Sequence, residues 1–232
     1  MPFFYFDYYY IILVVPVIIA SLIIQSRLKS TYAKYSKITN MRNITGAQAA
    51  QMVLGYYGIH DVTIEHVSGN LSDHYDPTSK VIRLSDGVFN SPSIAAVGVA
   101  CHEAGHAAQH AEAYLPIKIR NLILPVCNIG SSLSIPLLIA GVIFGYEPLI
   151  WIGIGFFAFV AVFQFVTLPV EFNASRRALN VIDSNGLLSF EEKNGAAKVL
   201  KMAAMTYVAA LATSIAQLLR LVLLFGGRRN RR

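Results

Sequence analysis

The chain has 232 residues, 55% of them hydrophobic and only 14% charged, with a mean hydropathy of +0.52. An ordinary soluble domain carries about 25% charge, so this composition excludes one and points to membrane helices. The net charge of +6 does not mark a nucleic-acid binder, because the basic residues cluster beside apolar runs, where topology and anionic lipid account for them.

In chain order, the first apolar run is Tyr8 to Ile24, free of charge. Its near end is aromatic (Phe3, Phe4, Tyr5, Phe6, Tyr8, Tyr9, Tyr10), as expected of a ring belt at a lipid surface. With no basic segment before it and no small-x-small site after it, residues 1–25 read as a retained transmembrane anchor rather than a cleaved leader. Arg27, Lys29, Lys34, Lys37 and Arg42 crowd its exit, which places the following segment in the cytoplasm and the N-terminus outside.

Residues 26–121 are the one sizeable polar stretch, read as a cytoplasmic domain that also leans on the membrane helices for its core. Thr45 has the chemistry of a helix cap, and the helix it opens ends at Gly58. Val62 to Val67 alternates apolar and polar residues as a strand does. Turn chemistry at Asp76-Pro77-Thr78-Ser79 leads into a second strand, Lys80 to Leu84, so a short twisted sheet is predicted. An edge strand here could accept an extended peptide backbone to backbone. Ser91 before Pro92 then opens a long helix through Ala113.

That helix carries His102-Glu103-Ala104-Gly105-His106. At 3.6 residues per turn the two imidazoles stack on one side and can share a metal ion, while Glu103 projects beside them as a general base. An apolar helix with two incidental histidines is the plain alternative. Burying such groups among Val97, Val99, Ala100 and Ala104 is costly unless something binds them. His110 suits packing or support of a ligand better than ligation, and His60 and His66 read as surface or satisfied polar residues. Cys101 and Cys127 lack CxxC spacing and read as reduced, buried side chains.

Two further apolar runs, about 122–145 and 149–170, are separated only by Tyr146, Glu147 and Pro148, so residues 122–170 form a tight transmembrane hairpin. Zinc in a catalytic site takes three protein ligands and leaves one position to water. Among the downstream acids, Glu112 is too close along the same helix and Glu147 lies at the far turn. Glu171 falls at the cytoplasmic end of the third span, level with the end of the HExxH helix, and is therefore the candidate third ligand. Residues 171–202 read as a cytoplasmic helical segment. A fourth run, 203–226, is long enough to span but contains Arg220. Two readings stay open: a fourth span, or a re-entrant or surface-lying helix that keeps the basic tail 227–232 inside.

The HEAGHAAQ helix, the later EFNASRRAL, the LSDHYDPTSKVIRLS stretch and the TYVAA segment at Thr206 to Ala210 together resemble the YugP-type neutral zinc metallopeptidases of bacterial membranes. The likeness covers nearly the whole chain. A more distant one is to HtpX-type membrane zinc proteases, in which the glutamate opening a Glu-x-x-x-Asp motif binds zinc. That likeness implies the same part for Glu171, with Ser175 standing where the aspartate would orient a ligand histidine. Gln109 and Glu112 exclude the metzincin pattern.

The fold implied is a mainly α-helical integral membrane protein, with a zincin-like HExxH helix, a small β-sheet and three to four transmembrane helices. Its expected activity is hydrolysis of peptides or membrane proteins at the cytoplasmic face of the cell membrane, with Zn2+ held by His102, His106 and Glu171 and with Glu103 as base. Arg176, Arg177, Tyr207 and His74 are candidates to stabilise the oxyanion. The alternative is a zinc-stabilised membrane scaffold or adaptor that cleaves nothing.

Overall fold

The computed structural model describes residues 7–69 and 71–226, so Phe3 to Phe6 of the aromatic belt and the basic tail 227–232 lie outside the described residues. The first helix, α1, runs as a π-helix over Tyr10–Val14 and as an α-helix over Val15–Tyr35. The elements α2 (Gly46–Tyr56), β1 (Thr63–Val67), β2 (His74–Asp76), β3 (Val81–Ser85) and α3 (Ile94–Ala111) follow. Three long helices complete the chain: α4 (Leu115–Ile143), α5 (Glu147–Ser184) and α6 (Phe190–Gly226). Among the described residues, four helices are long and apolar enough to cross a membrane. The chain is thus a multi-pass membrane protein, mainly helical with a small sheet.

It divides into two compact units. The first gathers the residues up to Ile24, Ile119–Leu168, and those from Thr206 onward. In it α4 and α5 form the expected hairpin, turned by Gly145 at φ +64°. Small residues let the two helices touch: a Cβ on Gly153 would lie 2.9 Å from the Ser134 carbonyl oxygen, and Ser134 Oγ donates to the Gly153 carbonyl at 2.9 Å. Leu138, Ile150 and Ile154 pack with Leu221 and Phe225 of α6. Residues such as Leu122, Ile129 and Phe165 stay exposed, as lipid-facing side chains must.

Arg220 is buried, and its guanidinium donates to Asp7 Oδ2 from Nε at 2.8 Å and from Nη2 at 2.5 Å. Asp7 also caps the start of α1, accepting the Tyr10 N–H at 2.8 Å. The pair supplies the partner that a charge within a membrane helix needs, and it brings the end of α6 beside the start of α1. Both described ends therefore lie at one level of this unit.

The second unit holds Gln25–Lys118 and Pro169–Met205. Thr45 opens α2 with a capping box: its hydroxyl accepts the Gln48 N–H at 3.3 Å, and Gln48 Oε1 accepts the Thr45 N–H at 2.9 Å. Gly58, at φ +64°, lies just past the helix end, as the sequence implies. The sheet order is β1-β3-β2, with β1 parallel and β2 antiparallel to β3. The strand that precedes the metal helix in sequence, β3, is therefore central. The edge facing α3 is β2, within a stretch whose sequence predicts only turn and loop.

Helix α3 begins two residues later than Ser91-Pro92 predicts. Ser93 is its cap, accepting the Ala96 N–H at 3.2 Å. Pro92 lies outside the first turn, and its carbonyl instead accepts from the backbone N–H and the side-chain Nδ2 of buried Asn40. The core of this unit is built on α3 itself, with Ala96, Val97, Ala100, Cys101 and Ala104 fully buried against α2, β3, the end of α5 and the beginning of α6.

Candidate metal centre

Alanine and glycine line one side of α3 because a second helix backbone lies on it. A Cβ placed on Gly105 would stand 2.7 Å from the Ala174 carbonyl oxygen of α5, closer than real Cβ contacts come. This approach sets the acid-bearing turn of α5 against the two histidines. Gly105→Ala is expected to force the helices apart and reduce zinc content and peptide cleavage by at least about tenfold, since a misplacement of 1 Å at a site costs on the order of a hundredfold. Metal analysis of the purified variant checks it.

Across that contact, His102 Nε2 lies 3.4 Å and His106 Nε2 3.6 Å from Glu171 Oε2. All three donor atoms fall within 4.8 Å of one another, and Glu171 is 2% exposed. These separations exceed the 2.7–2.9 Å of a charge-assisted hydrogen bond. They match the edge of a tetrahedron with metal–ligand bonds of 2.0–2.1 Å, which is about 3.4 Å. Two imidazole nitrogens and one carboxylate oxygen, close enough to share one point, fit a divalent ion.

The electrostatics agree. Burial alone would lower the pKa of His106, but the Glu171 carboxylate, with Glu103 further off, holds it above the ordinary histidine value. Glu171, in the second unit, would be raised by burial. The two facing imidazoles hold it well below the usual carboxylate range instead. The centre is thus poised for a cation with its carboxylate charged.

The outward nitrogens of both rings are tied. His106 Nδ1 is 3.0 Å from Gln109 Oε1, and with Nδ1 as donor Nε2 is left as the free lone pair. Gln109 is fully buried; its Nε2 donates to the Val170 carbonyl at 2.8 Å and to Asn173 Oδ1 at 2.9 Å, so it clamps α3 to α5. His102 Nδ1 is 3.2 Å from Ser175 Oγ. Ser175 therefore occupies the orienting position itself, with a neutral hydroxyl where the distant motif has a carboxylate. Gln109→Leu leaves the Val170 carbonyl and Asn173 without that donor. It is expected to weaken zinc affinity about 10–100-fold, while Ser175→Ala falls at the mild end of that range. Competition with a zinc chelator measures both.

Glu103 Oε2 accepts the backbone N–H of Tyr75, on edge strand β2, at 3.1 Å. The Tyr75 hydroxyl reaches His110 Nδ1 at 3.2 Å, which gives His110 a packing role rather than a ligand role. Of the oxyanion candidates, Arg177 is committed elsewhere. It pairs with Glu112 at 2.7 Å, donates to Asn173 and stacks on Tyr57 and Tyr114. His74 is an exposed residue of β2, bonded to the Ser72 carbonyl, and Arg176 is exposed. Tyr207 belongs to the other unit. His66 is satisfied by Asp86 at 2.6 Å, and both cysteines are free and buried, with burial pushing the Cys101 thiol up.

Sequence reasoning missed Gln109, Tyr75 and Gly105. Only Gly105, a glycine inside a helix, carries a local sign of close packing.

Four membrane-length helices and a histidine pair completed by a buried glutamate define a membrane metallopeptidase of the zincin kind. Residues 10–226 match the family model described as "Putative neutral zinc metallopeptidase", and the chain belongs to that family. It is 46% identical over 201 residues to the "Putative membrane protease YugP" of Bacillus subtilis (strain 168), covering 87% of this chain and 89% of the relative. No solved structure matches it.

Proposed function

We propose that this protein is a zinc-dependent endopeptidase that cleaves peptides or membrane proteins at the cytoplasmic face of the cell membrane. In this reading His102, His106 and Glu171 hold the zinc, and Glu103 is the catalytic base. The observation that carries it is the pair of 3.4 and 3.6 Å separations between the imidazoles and one buried carboxylate oxygen. The cytoplasmic orientation, with the N-terminus outside, rests on the five basic residues that follow the first apolar run.

Zinc bound there supplies Lewis acidity, bringing the pKa of a water molecule down to about 7 and polarising the peptide carbonyl. The chain's own groups do the rest. Glu103, steadied through Oε2 by the Tyr75 N–H, accepts the proton of the attacking water and returns it to the leaving amine. Gln109 and Ser175 fix the ring orientations, so the two Nε2 lone pairs need no reorganisation. With Oε2 of Glu103 already bonded to it, β2 holds the base in place by backbone rather than by a flexible side chain.

Hydrolysis of a fluorogenic peptide pool by the full chain in nanodiscs tests this. A chelator is expected to reduce cleavage to background and added zinc to restore it. Cleavage indifferent to the chelator would contradict the proposal.

A further inference from the structure

Within the second unit, the cytoplasm-side end of α1 and the beginning of α6 form the walls of an open cavity of about 490 Å³ that has no part in the metal centre. Its volume lies within the range of small-molecule sites. Lys34, Lys198 and Lys201 line it together with Ser30, Thr31 and Tyr35, and among the described residues no acidic one does. Among the described residues none of the three lysines forms an ion pair, whereas Lys193, five residues before Lys198, is held by Asp183 at 2.6 Å. Lys34 Nζ stands 5.5 Å from the centre of the Tyr35 ring. That ring is seated on bare backbone, since a Cβ on Gly195 would lie 2.6 Å from it. Three lysines on the walls of one concavity give it a positive potential that favours an anion.

Depth identifies the anion. The apolar run of α6 begins at Ala203, so at 1.5 Å per residue Lys201 lies about 3 Å and Lys198 about 8 Å before it. The headgroup layer is about 5–8 Å thick on each side of the hydrocarbon core, so both lysines fall at phosphate level, whereas Lys34, about 15 Å past Ile24 by the same count, lies on the water side of that layer. Basic pockets between helices at a cytoplasmic surface suit anionic headgroups. We infer that this cavity binds the phosphodiester headgroup of an anionic phospholipid, with Lys198 and Lys201 beside the phosphate, Lys34 at the outer rim and the Thr31 hydroxyl as a further donor. The site lies one helix away from the catalytic helix: α6 packs on α3 through Ala196, whose Cβ is 3.2 Å from the place a Cβ on Gly98 would occupy. The inference does not depend on the peptidase reading, because lipid binding can be measured without activity.

Native mass spectrometry of the full chain, released from detergent micelles that contain phosphatidylglycerol and phosphatidylcholine in equal amounts, tests it. The unaltered chain is expected to retain phosphatidylglycerol. The triple variant Lys34→Gln, Lys198→Gln, Lys201→Gln is expected to lose that retention on the order of a hundredfold, about fivefold per lysine. A control triple of equal charge loss, Lys29→Gln, Lys37→Gln, Lys118→Gln, should retain it, as should the Lys→Arg version of the pocket triple. Should the pocket triple fail to fold, the single K198Q and K201Q variants carry the reading, each with its own fivefold loss. Equal loss in the pocket and control triples, or no preference over phosphatidylcholine, overturns the proposal. Displacement of the lipid by glycerol 3-phosphate at matched concentration would assign the site to a free phosphoester and overturn it as well.

Discussion

Glu103→Gln is expected to keep one zinc per chain and an unchanged fold while lowering peptide hydrolysis by about a hundred- to ten-thousandfold, the range over which a general base contributes. The substitution is nearly isosteric, and its amide oxygen can still accept the Tyr75 N–H that steadies Oε2. What it cannot do is take a proton from water and hand it to an amine. The loss should therefore appear in kcat with KM little altered. Single-turnover cleavage beside metal analysis of the same preparation measures both. A zinc-stabilised scaffold would keep its cellular function in this variant, so complementation of a deletion strain separates a scaffold from a peptidase.

Glu171→Ala is expected to act one step earlier, by releasing the metal. Glu171 is the carboxylate among the three converging donors, and it comes from a helix that reaches α3 only through tertiary packing. Losing it should cost well beyond the about 10–100-fold in affinity that removal of an outer partner costs. Bound zinc should fall below about a tenth of an equivalent at affinities typical of a site with too few ligands. Helix content should persist, because the surrounding core of Ala100, Cys101, Ala104, Ala178 and Val181 does not depend on the carboxylate. Equilibrium dialysis with zinc, read beside circular dichroism, separates loss of metal from loss of fold.

The parts legible in the sequence are those governed by local periodicity or by the membrane. The histidine pair is an i, i+4 relation on one helix, so spacing alone reveals it. Glu171 was accessible by a different route: two apolar runs joined by a three-residue turn must return the chain to its starting level, and an acid stands at that level. Gln109 was not accessible. Its value lies in bonds to Val170 and Asn173 that join residues more than sixty positions apart, and nothing in its neighbourhood marks it. Strand β2 escaped because three residues, His74–Asp76, flanked by turn-forming residues, show no alternation, and its existence depends on pairing with β3. The ambiguity over Arg220 had a similar origin. A charge in an apolar run is costly alone, and its partner Asp7 lies at the other end of the chain. At Ser91-Pro92 the local rule for starting a helix did not hold, and the Pro92 carbonyl accepts from Asn40 instead.

X-ray absorption at the zinc edge of the full chain, purified in mild detergent without added metal, bears most directly on the centre. One zinc per chain is expected, four-coordinate, with two imidazole nitrogens at about 2.0–2.1 Å, oxygen in the remaining positions and no sulfur. A chain that carries no zinc, or zinc bound through cysteine sulfur, would contradict the account.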